Sequence, residues 1–484
     1  MLIEYYADMK ELLGNSVHRR LFLKSLGMGA VLWPFPRERV LWAAASVDVQ
    51  SQPPLPRGYL LVQDVGTFNQ SKFGAISTTE EARRLFGQIA GRIDAVEFGS
   101  LFYGDNDLRA HEAVAREAAL QRVDLWATSF RMLRRVRAFG PIRPEFQAHV
   151  MEADGRIVPA QIPEEAGSPS ETLFDVLNPE AMDWFVGRFR NKYLQRMKGL
   201  LTGLFFNEDC LTYLATAQNA IRFDYWRNAT FSPRVLALWR EYCRQREVTQ
   251  DGELVDKFPV HDQKMVANGA GLSQFVPGWN VPAQIEPGQR FVDLPRAEGV
   301  WRHWYEFTCD LFLKNWIGRL AAAANEVNRG EPGWKGTMYF GFLNWSLPYE
   351  QVQNPNFAVS QIQSWAAWGR QRGVDLTKLA GHPEINAIVC ETFPPLAANL
   401  EQFVAEYARI TRAAGKTFGV MLHRDDNWPL KLDEEPGRWA LIEKYQPTIL
   451  ARYPLEHMLP GNEFYTAEGE ALFARGLAHY KGPV

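Results

Sequence analysis

Cysteine is scarce in this chain. Only four residues, Cys210, Cys243, Cys309 and Cys390, are scattered over 484 positions and none forms a CxxC pair. That argues against a disulfide scaffold, a zinc ribbon and a thioredoxin-like redox centre. Charge of one sign is also lacking: 53 Lys+Arg against 56 Asp+Glu leave a formal charge of −3, with no long basic run. Electrostatic wrapping of nucleic acid is therefore not expected. No apolar run reaches the ~20 residues that a spanning helix needs. No GxGxxG or P-loop follows the first strand-like segment, no HxH or HExxH spacing occurs, and no GxSxG elbow is present. Dinucleotide, NTP, zinc-hydrolase and esterase readings lose their signatures with these motifs.

What is present is a large apolar complement. Hydrophobic residues make up 46% of the chain, enough to bury a substantial core, and nothing points to global disorder. The length allows about three average domains, but it also suits one α/β barrel with insertions.

The first residues read as an address. His18-Arg19-Arg20-Leu21-Phe22-Leu23-Lys24 is followed by an apolar segment, Ser25–Trp33, closed by Pro34 and Pro36. Ala43-Ala44-Ala45-Ser46 then offers small residues for cleavage. This stretch resembles the bacterial twin-arginine export signal, which implies export of the folded protein to the periplasm or beyond. Residues 1–46 are accordingly set apart from 47–484.

Within 47–484, strand and helix patterns alternate. Gly58–Asp64, Ile93–Phe98, Val123–Ser129 and Gly199–Phe206 read as strands. Gly336–Phe342, Ile385–Cys390 and Thr417–Leu422 continue the series, with an eighth near Thr448–Leu450 or His457–Leu459. Ser77-Thr78-Thr79-Glu80 opens a helix with a capping-box pattern, and Ala82, Leu85, Phe86 and Ile89 give it one apolar face. Helices are also predicted over 111–121, 181–198, 232–244 and 301–328. Residues 250–296, rich in Gly, Pro and polar side chains, read as an insertion that shapes a site. Repeated βα units of this kind predict an α/β fold, a (β/α)8 TIM barrel with an insertion after the fourth strand.

Barrel sites are built at the C-terminal ends of the strands. The polar residues there are Asp64, Glu97, Ser129, Asn207-Glu208-Asp209, Asn344-Trp345, Glu391 and His423-Arg424-Asp425-Asp426. Carboxylates dominate this set. Crowded carboxylates raise one another's pKa, so one can stay protonated near neutrality and give its proton to a departing oxygen.

Asn-Glu occurs three times, but only Asn207-Glu208 ends a strand-like run, Leu200–Phe206. Here the chain resembles clan A of the glycoside hydrolases, particularly its β-galactosidase branch, over roughly residues 58–430. Helices around Leu236–Tyr242 and Trp301–Phe307, separated by a Pro-rich insertion, extend the likeness. The resemblance implies that Glu208 is the acid/base and that Asn207 binds a sugar hydroxyl. It also implies a nucleophilic Glu ending the seventh strand. The predicted seventh strand instead ends Leu422-His423-Arg424-Asp425-Asp426, and Glu391 ends the sixth. Either a strand lies hidden between Glu208 and Glu391, or the catalytic pair sits on the fourth and sixth strands. Glu391 is taken as the partner, with Asp425 and Asp209 as rivals.

Sixteen Trp are many, and indole faces suit pyranose rings. Trp126, Trp279, Trp345 and Trp428 fall near predicted mouths, whereas Trp239, Trp304, Trp316, Trp365 and Trp368 fit helix packing. Asp64, Glu97, Arg131, Asn344, Trp345, His423, Arg424 and Trp428 are predicted to line the sugar subsite, with Arg131 and Arg424 suited to an acidic sugar. The expected partner is an oligosaccharide or glycoside, with no nucleic acid, no cofactor and no membrane once the signal is removed. A homo-oligomer is compatible if the insertion meets a neighbouring subunit. Two other classes fit the residues: a non-catalytic carbohydrate-binding barrel, and a metal-dependent sugar isomerase or lyase using Asp64, Glu97 and His423.

Overall fold

Short strands rich in branched and aromatic residues, buried on both faces, are what a parallel barrel demands, and the chain folds that way. The computed structural model describes residues 55–65, 78–98, 105–128, 136–151, 157–159, 161–162, 171–207, 231–259, 298–341, 370, 374–392, 397–423, 435–453, 458–460 and 465–482. The signal-like segment and residues 260–296 of the insertion lie outside these.

In chain order the first elements are β1 (Tyr59–Val65), α1 (Thr79–Ile89), β2 (Ala95–Phe98), α2 (Asp105–Leu120) and β3 (Asp124–Thr128). Two small hairpins follow, β4 (His149–Met151) with β5 (Ile157–Pro159) and β6 (Gln161–Ile162) with β7 (Glu171–Thr172). Then come α3 (Pro179–Phe189), β8 (Gly203–Asn207) and α4 (Pro233–Arg246). A third hairpin, β9 (Thr249–Gln250) with β10 (Glu253–Leu254), precedes α5 (Gly299–Phe312) and α6 (Arg319–Asn328). The last half contains β11 (Gly336–Gly341), α7 (Leu376–Gly381), β12 (Ala387–Thr392) and α8 (Ala397–Ala413). It ends with β13 (Thr417–His423), α9 (Glu435–Tyr445), β14 (Ile449–Tyr453) and α10 (Ala467–Lys481).

Eight strands close into one barrel, β1-β14-β13-β12-β11-β8-β3-β2, and every pair in it is parallel. The predicted (β/α)8 class is therefore the observed one. The eighth strand is β14, close to the first of the two predicted positions. Part of the insertion is not structureless: Thr249–Leu254 forms a hairpin through Asp251-Gly252, both at positive φ, as a two-residue turn of this type requires. The fourth strand is shorter than predicted, because Gly199 (φ +72) lies in the turn that precedes it.

Side chains alternate between two packed regions. Tyr59, Leu61, Ala95, Trp126, Phe205, Met338, Phe340, Ala387, Val389, Met421, Ile449 and Ala451 fill the barrel interior. Their strand neighbours, such as Leu60, Val96, Leu204, Ile388 and Leu450, pack outward against the helices. Helix α1 shows the capping box, formed by Thr78 and Glu81, and buries the predicted Ala82, Leu85, Phe86 and Ile89. Trp239, Trp304 and Trp316 pack helices, as their spacing predicts. The long helix predicted over 301–328 is one course interrupted by a π-turn at Leu313–Gly318, and a second π-turn, Arg190–Leu194, follows α3. Among the described residues no helix is long and apolar enough to cross a membrane.

The interior accommodates its aromatics with glycines. A Cβ at Gly203 would overlap the edge of the Trp126 indole and stand 2.6 Å from the Gly336 carbonyl oxygen. Gly203→Ala is expected to cost about 1–3 kcal/mol through overpacking. Thermal unfolding should show this loss, partly restored when Trp126→Leu is added. A neutral Gly203→Ala would mean that the indole is not wedged there.

Candidate functional site

Apart from Trp126, the sequence-predicted site residues that lie within the described structure fall at the rim formed by the C-terminal strand ends. Around the ring, the fourth strand β8 pairs directly with β11, and β11 with β12. Hence, apart from β11, no further barrel strand lies between β8, which Asn207 ends, and the sixth strand, which carries Glu391. Glu391 belongs to the sixth barrel strand, and the seventh, β13, ends at His423 with no Glu among its residues. Of the two explanations for the missing seventh-strand Glu, an overlooked barrel strand is ruled out, since the hairpin in the insertion is a separate sheet.

Register gives each position a level. Asn207, the last residue of β8, pairs with Phe340, which pairs with Val389 of β12. Glu391 lies two residues beyond Val389 and pairs with Met421, while His423 pairs with Tyr453. Phe205, Val389 and Met421 belong to the interior set, so positions 207, 391 and 423 continue interior rows by the strand period of two. Strands β8 and β12 flank β11, which sets their backbones about 9–10 Å apart along the ring.

On the opposite side of the rim, β1 carries an extra residue. Val62 pairs with Val96, but Val65 pairs with Phe98. This bulge brings position 64 to the level of Glu97, although uninterrupted alternation from Leu61 would have put it on the outer row. Glu97 itself is 4% exposed and pairs with Trp126 across the β2–β3 step. Glu208, Arg131, Asn344, Trp345, Arg424, Asp425 and Trp428 lie outside the described residues, as do Ser129, Asp209 and Cys210. Among the described residues no group of three or more His, Cys, Asp or Glu could hold a metal ion. Cys390 is fully buried in the outer core, in keeping with a packing role.

One placement is corrected. Trp126 was expected near a mouth, yet it is 1% exposed inside the barrel. Its Nε1 donates to the Tyr59 hydroxyl (3.1 Å), which donates to Asp124 Oδ2 (2.5 Å), and Lys335 Nζ pairs with the same oxygen. Asp124 begins β3 and Lys335 immediately precedes β11, so this chain of bonds lies at the N-terminal floor. Burial, then the Asp124 charge, holds the Tyr59 phenol well above its usual pKa. Trp126 is thus floor packing rather than a sugar platform. Its bulk makes sense only beside Gly203, which is remote in sequence.

Sequence reasoning also missed a buried polar joint beside the rim. Asn178 caps α3 through the amides of Glu180 and Ala181, with Pro179 at the first helical position; Ser232 caps α4 through Val235, followed by Pro233. Both are ordinary start signals. Between them lies Asp175, 1% exposed, in the otherwise apolar run Leu173-Phe174-Asp175-Val176-Leu177. A lone acid in such a run was the available signal. Asn315, in the π-turn, donates to the Leu177 carbonyl (2.9 Å). That contact fixes the level of the long helix, so α5 runs on past the start of α3 on the mouth side. There it packs with α4 through Phe231, Trp239, Tyr242, Trp304 and Phe307.

No protein-family model and no curated protein sequence matches the chain. Solved structures with a similar course include the catalytic domain of β-amylase from Paenibacillus polymyxa. That alignment has 11% identity and a TM-score of 0.49, covering 89% of this chain and 100% of the other. The endo-1,4-β-mannanase from Rhizomucor miehei aligns at 10% identity and TM-score 0.41, covering 89% and 98%. A putative α-L-fucosidase from Bacteroides thetaiotaomicron aligns at 8% and 0.38, covering 90% and 98%. With TM-scores below 0.5, these likenesses stand beside the barrel topology and add nothing to it.

Proposed function

We propose that this chain is a glycoside hydrolase, related to the β-galactosidase branch of clan A and exported by the twin-arginine route to the periplasm or the extracellular space. Glu208 protonates the leaving glycosidic oxygen, and Glu391 acts as nucleophile or as the base that activates water. The observation that carries this reading is the rim itself: Asn207 closes the fourth strand immediately before Glu208, and Glu391 stands near the end of the sixth, on an interior row. Asp64, Glu97, Arg131, Asn207, Asn344, Trp345, His423, Arg424, Asp425 and Trp428 line the sugar subsite in this reading. A carboxyl separation of ~5–5.5 Å corresponds to retention through a glycosyl-enzyme, and ~6.5–9.5 Å to inversion by an attacking water.

The test is a panel of oligosaccharides and alkyl glycosides, whose alkoxide leaving groups need a proton, with the wild type, Glu208→Gln and Glu391→Gln. General-acid loss is expected to lower kcat about 10²–10⁴-fold in Glu208→Gln with an unchanged melting temperature. Turnover that is indifferent to Glu208→Gln but abolished by EDTA would replace this reading with a metal-dependent one. Sugar binding without turnover of any glycoside would make the barrel a binding protein.

A further inference from the structure

The joint around Asp175 gathers segments from two βα connections. Asp175 N donates to the Phe146 carbonyl (3.0 Å), Ala148 N to that of Leu173 (2.9 Å), and Phe231 N to that of His149 (3.2 Å). Residues 146–149 are thus held between 173–175 and the residues that start α4. The fourth connection, which begins at Asn207-Glu208, re-enters the described structure at this point.

Asp175 lies at the centre of the joint. Its Oδ1 accepts from Leu177 N (3.1 Å). Its Oδ2 makes no bond of standard geometry, and the carboxyl interacts with the Ser232 hydroxyl, whose oxygen accepts from Val235 N (3.2 Å). Among the described residues no cation bonds to the carboxyl. Arg234 of α4 is committed to Glu180 of α3 through two bonds (2.9 and 2.6 Å), and Arg319 of α6 pairs with Asp183. Glu180 adds repulsion. Glu145 pairs with Arg143 (3.8 Å), and the His149 ring meets the Gln147 carbonyl (3.0 Å). A carboxylate without a cation in a dry site is costly, and a neutral carboxylic acid is far less so.

We propose that Asp175 makes this junction a pH-sensitive joint: the closed junction between the start of α4 and the third βα connection tolerates the buried carboxyl in its neutral form, and loss of the proton loosens it. Burial, opposed only in part by Ser232 and the backbone amides, pushes the carboxyl up to about 7. When the joint opens, the carboxyl regains an ordinary acidic pKa. Opening therefore becomes easier as pH rises from about 4, and levels off near 7, where the closed form ionises too. His149 is held below its usual pKa by burial. Protonating it adds charge on the acid side, an effect of the opposite sense.

Amide hydrogen exchange on the full chain tests this, read at Ala148 and Phe231 and corrected for intrinsic rates. Opening is expected to rise roughly tenfold per pH unit between pH 5 and 7 and then flatten. In Asp175→Asn, which stays neutral, the rise should vanish. In Ser232→Ala, which removes a group favouring the ionised form, the plateau should move to higher pH. A flat wild-type profile, or an unchanged rise in Asp175→Asn, overturns the proposal. If Asp175→Asn does not fold, Ser232→Ala decides alone, and an unmoved plateau overturns it. No readout uses turnover, so failure of the hydrolase reading leaves this test intact.

Discussion

Glu470→Ala is expected to lower the free energy of unfolding by about 3–5 kcal/mol, the cost of leaving a buried charge unpaired. Arg452, on the outer row of β14, is 1% exposed, and Glu470 of α10 is 9% exposed. Arg452 Nη1 donates to Glu470 Oε2 (3.1 Å), Nη2 bonds to Oε1, and the guanidinium lies 4.5 Å from the Phe473 ring centroid. Arg92, between α1 and β2, adds a second cation at 2.8 Å and donates to the Met458 carbonyl (3.0 Å). The cluster therefore ties the last strand and last helix to the beginning of the barrel, where β14 meets β1. Removing the carboxylate strands a guanidinium that has no route to water. Removing both charges by Arg452→Met with Glu470→Leu should be far milder, since desolvation of the pair offsets much of its attraction. The exposed Arg244–Glu241 pair is the control, and Glu241→Ala should cost at most about 1 kcal/mol. Denaturant unfolding of the three variants checks this. If Glu470→Ala is as mild as Glu241→Ala, burial is not what gives the cluster its strength.

Much of the barrel was legible because its signals are local. The α1 face, the caps at Thr78 and Ser232, and the βα alternation each depend on residues a few positions apart. The strand numbering that places Glu391 on the sixth strand could be read for the same reason. What escaped depends on partners far along the chain. Trp126 read as a mouth residue because nothing near it announces the space above Gly203. The β1 bulge that brings position 64 level with Glu97 is visible only in the pairing with β2. Asp175 was missed because Ser232, the hydroxyl that its carboxyl meets, lies far along the chain. The π-turns leave the apolar period nearly intact, so α5 and α6 read as one helix.

A second large effect is expected in acid, at His111. This residue of α2 is 1% exposed and stacks on Phe98 (centroids 5.0 Å) and Tyr193 (5.5 Å), with Nδ1 3.0 Å from the Tyr193 hydroxyl. Burial alone lowers its pKa to about 3. The unfolded chain takes up a proton near 6.5, which the folded chain refuses until about pH 3. Its contribution to stability is thus complete above pH 6.5 and is lost as pH falls, at about 1.4 kcal/mol per unit and on the order of 4–5 kcal/mol in all. Asp175 works in the other direction. Its folded pKa of about 7 exceeds the unfolded value, so its contribution is complete below about pH 4 and is lost as pH rises to 7. Between about pH 4 and 6.5 the two slopes oppose each other. His111→Gln should expose the Asp175 slope, with stability falling as pH rises. Asp175→Asn should expose the His111 slope, with stability falling as pH drops. Exposed carboxylates contribute a background common to all variants, so differences between denaturation curves at pH 4, 5, 6 and 7 isolate the two groups. Parallel curves for wild type and His111→Gln would mean that the imidazole gains its proton in the folded chain as readily as in the unfolded one, and that its burial carries no electrostatic consequence.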